Sequence, residues 1–242
     1  MTTVIFNSST LTASYIVTNV QRPFAVRTHD LVTVPARNGA ILGNSRFEVA
    51  EIVMDIVLAG DTRRNRADEM RILAAILNNE TPVQLSFSDD DGKYYLAMGS
   101  GGNITRYIGA DYIEGVTFTC ADPVMFGETR TESFSGGSAT IQSKGNMPCD
   151  ITMDFTSASG NSDDLFIIRD TVMGSDLEIP IPTGTTPTVE IDCRNRTVLV
   201  GGASAVPTLA SDWFEGFTTG NRTFSIFGGS GTGTITVQDR WV

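Results

Sequence analysis

The chain has 242 residues, of which 40% are hydrophobic and 19% are charged. A chain of this length and composition buries a core, which excludes a disordered protein and a small disulfide-dependent scaffold. The net charge of −11 argues against sequence-specific nucleic-acid binding, because DNA and RNA binders present basic surfaces to the phosphates. No apolar run approaches the roughly 20 residues of a membrane-spanning helix, and residues 1–6 lack a signal-peptide pattern, so we expect neither membrane insertion nor export.

Alternation of apolar and polar residues predicts β-strands through most of the chain. The clearest alternating runs are residues 50–58, 83–88, 116–120, 151–155, 189–193 and 234–237. Short runs of this kind, separated by Gly, Asp and Asn, are typical of antiparallel sheets joined by tight turns. We therefore predict a mainly β protein.

A single segment, residues 62–78, has the spacing of an amphipathic helix. Met70, Leu73, Ala74 and Leu77 recur at the intervals that place side chains on one stripe. Asp61 or Thr62 can cap the first turn, and Pro82 lies just beyond the last. The first half of the chain is thus predicted to be α+β, with one helix packed on a sheet.

A change of pattern near residues 122–139 divides the chain. Asp122-Pro123 ends a strand, residues 127–133 are polar, and residues 135–138 are a flexible stretch of Ser and Gly. About eight short strands follow, with the spacing of a β-sandwich and no further helix. We predict an N-terminal α+β domain over residues 1–128 and a C-terminal β-sandwich domain over residues 129–242.

The residues that carry most enzyme chemistry are scarce and scattered. His29 is the single histidine, in a polar stretch that we expect to be a solvated loop. Cys120, Cys149 and Cys193 are far apart and contain no C-x-x-C pair, so we expect buried thiols in place of disulfides or a zinc site. The sequence predicts no catalytic site, no metal and no cofactor.

The acidic run Asp89-Asp90-Asp91-Gly92 invites a calcium interpretation. An EF-hand loop aligned on Gly92 requires Glu at its last position, where this chain has Met98. We favour a hairpin turn between two strands, with a loose surface calcium site as the alternative.

Three aromatic residues in the second half, Trp213, Phe214 and Phe217, allow two interpretations. They can pack in the sandwich core, or they can form an exposed platform on which sugar rings stack.

Four local motifs occur in a characteristic order along residues 30–242. The first is Val34-Pro35-Ala36-Arg37-Asn38-Gly39, which precedes a long strand from Phe47 to Gly60. The second is the helix followed by Val83-Gln84-Leu85-Ser86-Phe87-Ser88-Asp89-Asp90 and Tyr94-Tyr95-Leu96-Ala97. The third is Phe118-Thr119-Cys120-Ala121-Asp122-Pro123, and the fourth is Gly220-Asn221-Arg222-Thr223-Phe224 with a terminal Asp239-Arg240-Trp241. Together they resemble the motifs of the siphophage distal tail proteins, the Dit-type hubs of the tail tip.

The resemblance implies a structural, non-enzymatic virion protein at the tail tip, assembled in the host cytoplasm. Six N-terminal domains would form a ring around a channel that DNA crosses, and galectin-like C-terminal sandwiches would project outward. The implied partners are further copies of the chain, the major tail tube protein, the tail-tip hub or tail-associated protein, the tape measure protein and, in many phages, receptor-binding proteins.

For the ring interface we expect the long amphipathic strand from Phe47 to Leu58, whose edge would be free to pair. The candidate interface residues are Arg37, Phe47, Val49, Glu51, Val53 and Asp55. The alternative function is a carbohydrate-binding virion module that recognises host-surface glycans through the C-terminal sandwich, with Trp213, Phe214 and Phe217 as its platform.

Overall fold

A computed structural model describes residues 3–11, 15–25, 27–35, 38–59, 62–90, 92–106 and 110–242. The chain separates into two compact units: residues 1–126 together with Val242, and residues 127–241. Each unit encloses a hydrophobic cluster of its own. In the described segments, no helix combines the length and the apolar character that crossing a membrane requires.

The N-terminal unit is built on antiparallel strands. They are β1 (Val4–Phe6), β2 (Ser9–Thr10), β3 (Ile16–Gln21), β4 (Arg27–Thr33), β5 (Ala40–Phe47), β6 (Ala50–Ala59), β7 (Val83–Phe87), β8 (Tyr94–Ser100), β9 (Asn103–Arg106) and β10 (Ala110–Cys120). Strand β6 lies between β3 and β10, while β10 also pairs with β8 and β9. Strand β8 continues the pairing through β7 to β1 and β2, and β4 pairs with β5 in a separate two-stranded sheet.

Strand β6 shows why this unit folds as it does. Ile52, Met54 and Ile56 are buried, while Glu51 and Val53 lie on the opposite face, as the alternating sequence predicts. The buried side chains pack with those of β10 and with Phe6, whose ring meets Phe118 edge-on at a centroid distance of 4.8 Å.

Two predictions about this strand are wrong. The chain leaves β5 at Phe47 and enters β6 at Ala50, so no single strand runs from Phe47 to Leu58. Strand β6 is also paired on both sides, by β3 and by β10, and therefore offers no free edge. Both partners come from distant parts of the sequence, which is why the local pattern did not reveal them.

The helix α1 (Arg63–Leu77) begins where the sequence predicts. The Thr62 hydroxyl accepts a hydrogen bond from the Asn65 N–H at 3.2 Å, while Asp61 lies outside the described residues. Leu73 and Leu77 are buried against the sheet, but Ala74 is exposed. Arg66 turns inward to Asp111 of β10, at an N–O distance of 3.5 Å.

Two sheets form the C-terminal unit, which begins within β11. The strands are β11 (Met125–Ser133), β12 (Ser138–Ser143), β13 (Met147–Ser159), β14 (Leu165–Asp170), β15 (Asp176–Pro180), β16 (Val189–Asp192), β17 (Thr197–Val200), β18 (Ala203–Ala205), β19 (Gly220–Gly228) and β20 (Ser230–Trp241). One sheet has the order β11-β20-β13-β16-β17-β18 and the other β12-β19-β14-β15. Their apolar faces share one core that includes Phe155, Phe166 and Phe224, so the unit is a β-sandwich.

Candidate functional site

Strands β4 and β5, here called the hairpin arm, are exposed along almost their whole length. Leu31 pairs with Leu42, and the next pair is Val32 with Ile41. Adjacent pairs project to opposite faces of a two-stranded sheet, so both faces of the arm are apolar near its turn. These four side chains are between 42% and 68% exposed, and none belongs to the core.

The arm also contains two residues that the sequence singled out. His29 lies in β4 and not in a loop, and its side chain is exposed. Phe47 ends β5, where the guanidinium carbon of Arg27 lies 4.7 Å from its ring centroid. Arg37 lies outside the described residues.

The remaining predicted interface residues follow the arm. Val49 is 56% exposed between β5 and β6, and Glu51, Val53 and Asp55 share the outward face of β6. Asp55 is engaged within the chain, because it accepts hydrogen bonds from the Asn19 side chain at 3.0 Å and from the Gly115 N–H at 2.9 Å. The structure thus places three of these side chains on one sheet face and assigns Asp55 a structural contact.

This sheet face, formed by β3, β6 and β10, is polar. Thr119 lies opposite Glu51, and Thr117 lies opposite Val53. Glu51 and Asp55 lie on this face and Glu114 is exposed, while Asp111 is buried against Arg66; the three strands contain no Lys or Arg. A face with this composition is hydrated and repels phosphate groups.

The acidic run after β7 is partly compensated within the chain. Strands β7 and β8 pair around it as a hairpin, as predicted. Arg22 donates to the carboxylates of both Asp89 and Asp90, and its guanidinium carbon lies 4.6 Å from the Phe87 ring centroid. Asp91 lies outside the described residues. Among those described, no group of His, Cys, Asp and Glu is arranged to hold a metal ion.

All three cysteines are free and buried. Burial raises the pKa of the Cys120 thiol and of the Cys193 thiol to about 12. These thiols are therefore protonated at neutral pH and serve as small apolar side chains.

The three aromatic residues of the second half do not form one platform. Phe214 is 2% exposed, and its ring meets that of Phe224 edge-on at 5.2 Å, so it belongs to the core. Phe217 packs against the same core, with the guanidinium carbon of Arg222 at 5.4 Å from its ring centroid. Trp213 is half-buried against the same core and also lines two open cavities. The predicted three-residue platform is wrong because Phe214 points inward.

Comparison with known proteins identifies the family. Residues 6–105 match the family described as phage tail protein RIFT-related domain, and residues 144–241 match that described as siphovirus-type tail component, C-terminal domain. The distal tail protein of Bacillus phage SPP1 is 22% identical over 187 residues, which are 76% of this chain and 74% of that protein. The chain belongs to the Dit-type siphophage distal tail proteins. It is accordingly a structural component of a phage tail.

Solved structures of distal tail and baseplate proteins share its fold. The crystal structure of SPP1 Dit, described as a hub adsorption apparatus of phages that infect Gram-positive bacteria, aligns with a TM-score of 0.79 at 17% identity, covering 100% of both chains. A chain of the phage p2 baseplate, in its activated conformation with Sr, aligns with a TM-score of 0.53 at 9% identity, covering 98% of this chain and 97% of that one.

Proposed function

We propose that this Dit-type protein forms a closed ring of six copies at the tail tip, joins the tail tube to the tail-tip apparatus and lets DNA pass through its channel. The observation that carries the proposal is the hairpin arm, which is apolar on both faces and packs into no core. An isolated two-stranded hairpin is marginally stable in water, so the arm needs a covering surface.

A second copy of the chain supplies that surface most simply. In a cyclic ring each copy uses one patch to contact a different patch on the next copy, and the same contact closes the circle. The arm is one such patch. Burying Leu31, Val32, Ile41 and Leu42 against a neighbour removes apolar area from water and contributes roughly 25 cal/mol per Å².

The face of β3, β6 and β10 suits the wall of the channel. Glu51 gives this face negative charge, and Thr117 and Thr119 on β10 bind water through their hydroxyls. The three strands contain no Lys or Arg. DNA phosphates would pass such a wall without being held, because these three strands supply no Lys or Arg to replace the counterions of the phosphates.

The remaining partners follow from the family. We propose contacts with the major tail tube protein, the tail-tip hub or tail-associated protein, the tape measure protein and receptor-binding proteins. The C-terminal unit would then be the outward, galectin-like domain, with the domain division near residues 128 and 129. Assembly would take place in the host cytoplasm before the ring becomes part of the virion tail tip.

Light scattering after size exclusion tests the ring. We expect a mass six times that of the 26.0 kDa chain. The double variant Leu31→Ser, Leu42→Ser should be monomeric, because it makes one face of the arm polar. The matched control is Val206→Ser, Leu209→Ser, which changes two side chains of the C-terminal unit that are 80% and 107% exposed and should leave the ring intact. A monomeric wild-type protein at micromolar concentrations would contradict the proposal.

A second role is favoured by Trp213. We propose that the C-terminal unit also binds carbohydrate, such as a host-surface glycan, and that this binding does not depend on the ring.

A further inference from the structure

Two cavities adjoin in the C-terminal unit and share one wall. Their volumes are about 340 and 460 Å³, within the range of small-molecule sites. Arg196, Trp213 and Glu215 line both cavities. These three side chains therefore stand where a ligand that enters either cavity would meet them.

The charged groups of this wall differ from their neighbours in having no partner. Arg194 pairs with Asp150 at 2.7 Å, and Arg222 pairs with Asp170 at 2.5 Å. Within the described part of the chain, the Arg196 guanidinium and the Glu215 carboxylate make no ion pair or hydrogen bond. The Trp213 indole N–H likewise has no acceptor among the described residues. A donor, an acceptor and an aromatic face are thus all available.

The backbone at Arg196 adds a second observation. Its φ of 54° lies in the left-handed region, which disfavours residues with a Cβ. Asp192 holds the turn from the other side, accepting from the Asn195 N–H at 2.9 Å. Glycine would relieve the strain at position 196 but would remove the guanidinium. The short hairpin loop between β16 and β17 accounts for a left-handed residue here, and the chain places an arginine where Gly or Asn is favoured.

The chemistry of the wall selects a class of ligand. The face of an indole packs against the apolar face of a pyranose ring, while guanidinium and carboxylate groups exchange hydrogen bonds with hydroxyls. The larger cavity offers an anion no net positive charge, because Asp212 and Glu215 balance Arg196 and Arg222 in its lining. Arg222 is also paired with Asp170. A neutral saccharide fits the available groups.

We propose that these cavities bind a neutral saccharide, with a pyranose ring against Trp213, Arg196 donating to its hydroxyls and Glu215 accepting from them. The inference rests on the second role proposed above and specifies its site. It is independent of ring formation, so a protein that fails to form rings can still satisfy it.

Indole N–H signals in a nitrogen–proton correlation spectrum of the full chain test the site directly. The protein has two tryptophans, so two such signals are expected, and Trp213→Phe identifies the one from Trp213. The probes are methyl β-glucopyranoside, N-acetylglucosamine and lactose. We expect at least one of them, at millimolar concentration, to shift the Trp213 signal in a saturable manner and to leave the Trp241 signal in place. No shift with any of the three would overturn the proposal.

Variants separate binding from folding. Glu215→Gln should weaken binding at least tenfold, whereas Glu190→Gln, an exposed glutamate that lines neither cavity, should bind as wild type does. Arg196→Gly should also lose binding while its thermal midpoint stays at or above that of the wild type. Unchanged binding by both Glu215→Gln and Arg196→Gly would overturn the assignment of the site. A shift caused by glycerol 3-phosphate and by no sugar would overturn the choice of a neutral ligand.

Discussion

The carboxylate of Asp239 lies 2.7 Å from the Arg130 guanidinium, and both groups are shielded from solvent inside the C-terminal unit. The second oxygen of Asp239 accepts hydrogen bonds from the Ser143 hydroxyl at 3.1 Å and from the Lys144 N–H at 3.0 Å. One side chain of β20 thereby joins β11 to the end of β12.

We expect Asp239→Asn to lower the free energy of unfolding by about 2–3 kcal/mol, because it removes the buried carboxylate beside Arg130 and leaves that guanidinium only the exposed carboxylate of Glu128. Asp68→Asn is the matched control. Asp68 pairs with Arg71 on the exposed face of α1, with side-chain exposures of 56% and 78%, and its loss should cost no more than about 0.5 kcal/mol. Urea denaturation measures both, and equal effects would contradict the buried role of Asp239.

The same carboxylate makes stability depend on pH. Burial alone raises the pKa of Asp239, but the Lys144 N–H, Arg130 and Ser143 outweigh it and hold this pKa below its ordinary value. The unfolded chain therefore binds the proton first as the pH falls. The contribution of the ionised Asp239 to the free energy of unfolding is complete above about pH 5. It is lost as the pH drops through the pKa of Asp239 in the folded protein. Urea midpoints should show the gap between wild type and Asp239→Asn closing in acid; a gap constant with pH would argue against this linkage.

The C-terminal unit should fold alone. Because residues 127–241 enclose their own core, a fragment of these residues should melt in one cooperative transition. In it, Phe166→Ala should cost about 3–5 kcal/mol, since Phe166 is fully buried. Trp241 is only half-buried, beside Gly127, so Trp241→Ala should cost less than Phe166→Ala. A fragment without a cooperative melt would show that the two units depend on each other.

The proposed channel wall can be probed in phage particles. Glu51→Lys with Thr119→Lys places two cations side by side on the β6–β10 face, where they would bind passing phosphates. Such particles should adsorb normally and release DNA more slowly in a dye-based ejection assay. Glu190→Lys, on the exposed side of the C-terminal unit, should have no effect. Normal ejection by the double variant would place this face outside the channel.

Local signals in the sequence were reliable where one segment determines its own structure. The Thr62 cap and the spacing of Leu73 and Leu77 predicted α1, because helical hydrogen bonds join residues four apart. The alternation at 151–155 likewise predicted the buried face of β13. The local pattern did not predict the pairing of β6 correctly. We expected β6 at an edge of the sheet, but β3 and β10 pair with both of its sides.

The sequence indicated even less clearly which side chains form the wall shared by the two cavities. Trp213 and Phe214 are neighbours in sequence, and only the packing of Phe224 against Phe214 shows which of them faces the core. Arg196 carried a single local signal, its place after Asn195 in a polar turn, and nothing in the sequence linked it to Glu215.

The sequence by itself determined the mainly β class, the single helix, the change of pattern near residue 128 and the resemblance to distal tail proteins. These depend on periodicity and on short motifs, which are properties of neighbouring residues. Only the tertiary structure decided which strands are edges, that the hairpin arm remains uncovered, and that Arg196, Trp213 and Glu215 share one wall. Strand pairing and cavity walls are made by residues far apart in the chain, and their meeting depends on how the whole backbone packs.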